Sequence, residues 1–99
     1  MTYKLKFTKY SNKEWGKLDP TLVTQFKKKL KERLENPKVS KDKLSGYENV
    51  YKIKLRSSGF RLAYEVKDTE IVVLVLTVGK RENNDVYKNL QQRKKDESC

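Results

Sequence analysis

Tyr3, Leu5 and Phe7 alternate with Lys4 and Lys6, the period-two pattern of a strand with one buried face. The period then changes. Ser11 or Asn12 is placed to cap a short helix carrying Trp15 and Leu18, and Asp19-Pro20 reads as a second cap with proline at the first helical position. Leu22, Val23, Phe26, Leu30 and Leu34 recur at helical spacing, with Lys27, Lys28, Lys29, Lys31 and Arg33 mostly on the other faces. This predicts an amphipathic helix ending before Asn36-Pro37, antiparallel to the first. A polar loop over 38–49 leads into two alternating segments, Tyr51, Ile53, Leu55 and then Phe60, Leu62, Tyr64, Val66, with a hairpin signal at Ser57-Ser58-Gly59. Residues 71–78 are almost continuously β-branched or aliphatic, which predicts an interior strand covered on both faces, Leu74 included. Asn83-Asn84-Asp85 is placed to cap a last helix carrying Val86, Tyr87 and Leu90.

The order β-α-α-β-β-β-α predicts an α+β domain: a mainly antiparallel four-stranded sheet, two N-terminal helices packed on it, and a short C-terminal helix. Ninety-nine residues leave room for one domain, expected over 1–92, with a fraying tail at 93–99. A two-residue loop at Ser58-Gly59 would set Leu55 opposite Leu62, Ile53 opposite Tyr64 and Tyr51 opposite Val66. The other face then carries Lys52, Lys54, Arg56 and Arg61, with Arg56 facing Arg61. Like charges directly opposite destabilise a sheet by roughly 0.2–1 kcal/mol, and no acidic residue lies between Glu48 and Glu65 to relieve them. Such a face either waits for an anion or is simply solvated.

Charge sharpens the choice. Twenty-four Lys+Arg against 13 Asp+Glu leave +11, a surplus that calls for a polyanion or an acidic partner. The longest apolar run is too short for a bilayer span, and the N-terminus has no signal-peptide core. The single cysteine, Cys99, can form no internal disulfide, so a reducing cytoplasm is expected. There is no histidine, which removes the commonest general base, the commonest zinc ligand and the Ser/Cys triads. No metal or cofactor is expected.

Cleavage of RNA by its own 2′-hydroxyl needs a base, cations for the charge growing on phosphate, and an acid for the leaving 5′-oxygen. Arginine grips phosphate bidentately and stays charged. Lysine or tyrosine can move the proton only if other cations crowd its pKa downward. Tyrosine also stacks on bases. Residue chemistry alone leaves cutting RNA and merely binding it equally open.

The run Val50-Tyr51-Lys52-Ile53-Lys54-Leu55-Arg56-Ser57-Ser58-Gly59-Phe60-Arg61-Leu62, then Val78-Gly79-Lys80-Arg81-Glu82 and Val86-Tyr87, resembles the RelE toxins of bacterial toxin–antitoxin pairs. Trp15 with Lys17-Leu18, the basic helix at Lys27–Leu30, and Lys43-Leu44 before Gly46 extend the likeness along the whole chain. The resemblance implies a microbial-RNase-like fold and an endoribonuclease that cuts mRNA in the A site of the 70S ribosome, leaving 2′,3′-cyclic phosphate and 5′-hydroxyl ends. It implies an acidic RelB-like antitoxin, with which the toxin binds operator DNA and represses their operon. By the same pattern Lys52 and Lys54 flank the scissile phosphate, Lys54 being a proton-transfer candidate. Arg61 and Arg81 stabilise the developing charge, and Tyr87 stacks on or orients the cut nucleotide and is a second acid–base candidate. Arg56, Lys80, Lys27, Lys28 and Lys31 are further RNA-binding candidates, the α-helical lysines also reading as a solvated face. Ser45 departs from the pattern, since many relatives carry a basic residue there. Two other functions stay open: a ParE-like toxin aimed at DNA gyrase, and a nucleic-acid-binding module without catalysis.

Overall fold

The elements form where the hydrophobic period changes: strand β1 (Lys4–Phe7), helices α1 (Lys9–Gly16) and α2 (Pro20–Glu35), and strands β2 (Val50–Leu55), β3 (Phe60–Lys67) and β4 (Val72–Lys80). The computed structural model describes residues 2–55 and 58–80. The expected last helix, the tail, and the candidates Arg56, Arg81 and Tyr87 lie outside the described residues.

The strands make one sheet in the order β1-β4-β3-β2. β2–β3 and β3–β4 pair antiparallel, while β1 lies parallel to β4, so the sheet is mixed. The two helices carry the chain from β1 at one edge of the sheet toward β2 at the other. One face of the sheet holds Tyr51, Ile53, Leu55, Leu62, Tyr64, Val66, Val73, Val75 and Val78, packed against Phe26 and Leu30 of α2. Trp15 joins the helices to this core, its ring centroid 5.1 Å from Phe7 and 6.1 Å from Phe26.

The α1 cap is one turn earlier than Ser11 or Asn12. Thr8 is the N-cap and Ser11 the third helical residue, the two exchanging bonds as a capping box. Ser11 is then free to donate its hydroxyl to the Val75 carbonyl at 2.6 Å. Just beyond, Glu14 accepts from Thr77 Oγ1 at 3.0 Å and the Val78 N–H at 3.4 Å. β1 stops at the Phe7–Val75 pair, so α1 covers the part of the β4 edge that β1 leaves bare. Asp19 and Pro20 begin α2 as expected, with the Asp19 side chain accepting from the Thr21 N–H.

β4 is the interior strand, but it begins at Val72, because Ile71 sits at φ 55° in the turn from β3. A bulge lets Ala63 face Thr77 and Tyr64 face Val75, so Leu76 is the extra residue. The bulge explains the lack of period here: Val75 and Val78 serve the helix-side core, while Leu76 joins Val50 and Ala63 on the opposite face. Leu74 also lies there but is only half-buried, which corrects its expected place in the interior.

The hairpin register also differs from expectation. Leu55 faces Phe60, Lys54 faces Arg61, Ile53 faces Leu62, and Tyr51 faces Tyr64. The connection is therefore four residues rather than two, closed by a Gly59 N–H···O=C Leu55 bond of 3.0 Å, with Gly59 at φ 75°. A two-residue shift keeps every side chain on its face, so hydrophobic alternation could not have detected it. The opposed cations are Lys54 and Arg61, not Arg56 and Arg61.

Candidate functional site

Because the apolar residues of β2 and β3 turn toward the helices, Lys52, Lys54 and Arg61 emerge together on the other face. Lys54 stands opposite Arg61, and Arg61 opposite Gly79 of β4; Lys52 stands opposite Ala63. Their settings differ. Arg61 is 7% exposed, Lys52 half-buried and Lys54 exposed. The floor beside them is a second small core, Val50, Ala63 and Leu76, closed by Leu44, Tyr47 and Leu74. Leu44 and Tyr47 come from the 43–49 segment, which joins the sheet through a Lys43–Tyr51 bridge. On this face the next carboxylate along β3, Glu65, has Lys67 Nζ 3.8 Å away. The arrangement is a firm apolar base carrying a line of cations, able to seat a phosphate and oppose charge growing on it. Among the described residues no three metal-binding side chains come together.

The other candidates lie elsewhere. Lys80 faces Phe60 on the helix side of the sheet, its Nζ 5.7 Å from the ring centroid. Lys27, Lys28 and Lys31 are exposed on α2, whose Phe26 and Leu30 point into the helix-side core. They are therefore separated from Lys52, Lys54 and Arg61 by the helix layer and the sheet.

One residue tied to this site was misplaced by its charge. Arg33 does not lie on the outer face of α2. Its Nη1 donates to Tyr64 Oη at 2.9 Å and to the Lys52 carbonyl at 3.3 Å, and its Nη2 to Asp42 Oδ2 at 2.5 Å. Tyr64 in turn donates to the Pro37 carbonyl at 2.7 Å. Burial works against the Arg33 charge, but its bonds to Tyr64 and Asp42 outweigh that and hold its pKa above the usual value. Burial pushes the Tyr64 hydroxyl up as well. The signal was present: Phe26, Leu30 and Arg33 stand at i, i+4 and i+7, one stripe of a helix.

The chain matches the family described as the ParE toxin of the type II toxin–antitoxin system parDE over residues 5–85. It is 50% identical over 93 residues to the mRNA interferase toxin RelE of Escherichia coli, covering 94% of this chain and 98% of that protein. A putative RelE-like toxin protein of the same organism is 48% identical over the same shares. A solved double mutant of the E. coli toxin RelE in the free state superposes with a TM-score of 0.87 at 49% identity, covering 94% of this chain and 98% of that one. The toxin in the intact E. coli RelBE toxin–antitoxin complex gives 0.79 at 52% identity, over 82% and 99%.

Proposed function

The chain belongs to the RelE family of type II toxins, and from that premise we propose that it is a metal-independent endoribonuclease that cuts mRNA in the ribosomal A site. The observation that carries this reading is the line Lys52, Lys54, Arg61: three cations on one sheet face over an apolar floor, one of them nearly buried. A charged side chain held this close to an apolar floor suits a fixed anion better than bulk water.

In the proposed reaction the 2′-hydroxyl loses its proton to a side-chain base and its oxygen bonds to phosphorus. The bond from phosphorus to the 5′-oxygen breaks, and that oxygen takes a proton. The products are a 2′,3′-cyclic phosphate and a 5′-hydroxyl. Arg61, fixed in the sheet, opposes the charge on the phosphoryl oxygens; Lys52 and Lys54 flank the phosphate, and Lys54, which is exposed, is a proton-transfer candidate. Arg81 and Tyr87 complete the site by resemblance to the family. The ribosome supplies the positioning of the mRNA, which lowers the demand on a site without histidine. A RelB-like acidic antitoxin offsets the +11 charge, and the pair binds operator DNA. A cytoplasmic location accords with this reading; among the described residues no helix is long and apolar enough to cross a membrane.

The test is cleavage of an mRNA programmed on purified ribosomes, beside the same RNA alone, with product ends mapped. Cuts at the A site with 2′,3′-cyclic phosphate ends are expected. No cleavage by a folded preparation would overturn the reading. Capture of gyrase by that preparation would then favour a ParE-like toxin, the name of the matching family.

A further inference from the structure

β2 carries two of the three cations and is an edge strand of the sheet, with a ladder to β3 on one side only among the described residues. Its even-numbered residues turn their backbone groups outward, as the Leu44 N–H···O=C Val50 bond of 2.9 Å shows. Two residues on, the outward Lys52 carbonyl is taken by Arg33 of α2. Like charge at the Lys54–Arg61 pair works to part β2 from β3 at this same end of the strand. A hold on the outer edge is therefore placed where the site's own charges strain the ladder.

The hold is anchored on three sides. Arg33 ion-pairs with Asp42 of the short 3₁₀ turn Ser40–Asp42, and it shares Tyr64 with the Pro37 carbonyl. The Tyr64 ring stacks on Tyr51 at 5.8 Å, next to Lys52 in the chain. One guanidinium thus ties the end of α2, the 37–42 segment, β3 and the β2 backbone at Lys52. Its planar fork suits this task, since three acceptors at fixed angles can be met at once, which an ammonium on a flexible stem does poorly.

We propose that Arg33 is a positioning residue for RNA cleavage: by holding the Lys52 carbonyl it fixes the β2 edge and so sets Lys52 and Lys54 at their working distance from Arg61. The inference rests on the endoribonuclease reading for its activity test, and has a second test that does not.

Single-turnover cleavage on programmed ribosomes is compared for wild type, Arg33→Met, Arg33→Lys and a control, Leu22→Ala, which trims the helix-side core without removing any of the Arg33 bonds. Arg33→Met should lower the rate at saturating ribosomes about tenfold or more, the scale on which a small misplacement acts, with the half-saturating ribosome concentration changed less than about twofold. Arg33→Lys should recover part of the rate, and Leu22→Ala should lower the melting temperature without slowing the saturated rate. Equal slowing by Leu22→Ala and Arg33→Met at matched stability, or an unchanged Arg33→Met, overturns the proposal. A wild type that cuts nothing overturns the endoribonuclease reading instead. Amide exchange of the free proteins then decides: Arg33→Met should speed exchange over 52–55 about tenfold while 72–78 stays protected, and uniform change across both segments, or none, removes the positioning role.

Discussion

The two faces of the sheet are built on opposite terms. Toward the helices, β2 and β3 present Tyr51, Ile53, Leu55, Leu62 and Tyr64, all buried against α2. Away from them the same strands present Lys52, Lys54 and Arg61, like charges set opposite or beside one another. The first face is where apolar area leaves water, the dominant favourable term in folding. The second holds residues whose mutual repulsion folding must tolerate. Apolar burial and concentrated charge are thus segregated by the strand's period of two.

The sharpest way to break that comparison is at the helix-side core. Phe26 is fully buried, and Phe26→Ala should cost about 3–5 kcal/mol in urea unfolding. A loss below about 1 kcal/mol would mean that α2 is not pinned to the sheet by this side chain. Lys54→Ala should do the reverse. Cleavage should fall about 10²–10⁴-fold, the usual scale for a proton-transfer group, while stability holds or rises by up to about 1 kcal/mol as the opposed charge on Arg61 is relieved. A variant that unfolds, or one that cuts normally, would erase the distinction between the faces.

What the sequence made legible follows the same division. Alternation and helical spacing gave the strands, the helices and the shared face of Lys52, Lys54 and Arg61, because period depends only on which side chains are apolar. Register was not legible. Shifting β2 by two residues preserves every face, so only the left-handed Gly59 and the four-residue connection decide that Lys54 meets Arg61. Nor was the split of the 71–78 run legible, since a bulge has no signature in a stretch that, Thr77 aside, is apolar. Lys80 directly precedes Arg81 in the motif, yet the strand's alternation sends it to the helix side with Phe60. Arg33 was assigned by its charge to solvent although its spacing put it on the buried stripe, where Tyr64 and Asp42 meet it.

The basic face is itself divided, and a pair of substitutions measures the division. Leu76 is fully buried with Val50 and Ala63, whereas its neighbour Leu74 is half-buried at the margin of that patch. Leu76→Ala should cost about 2–5 kcal/mol, with Leu74→Ala milder by on the order of 1–2 kcal/mol. Equal costs would mean that the second core extends further along β4 than its burial indicates.

The smallest effect belongs to the rim, which lies on neither face. Tyr3 Oη donates to Asp68 Oδ1 at 2.9 Å, and Lys38 Nζ to Asp68 Oδ2 at 2.6 Å, stapling β1 and the 37–42 segment to the β3–β4 turn. The bond from Lys38, then that from Tyr3, holds the Asp68 carboxyl below its ordinary 3.8. A carboxyl whose folded pKa is lowered lends stability that is whole above the unfolded value and lost as pH falls through the folded one. The group is open to solvent, so water screens the pair and its contribution is slight. Asp68→Asn should therefore lower the melting temperature a little at pH 7, and the gap from wild type should close only below about pH 4. A gap that persisted in acid would mean that the staple acts through shape rather than charge. A gap as large as that of Phe26→Ala would move the centre of stability from the helix-side core to the rim.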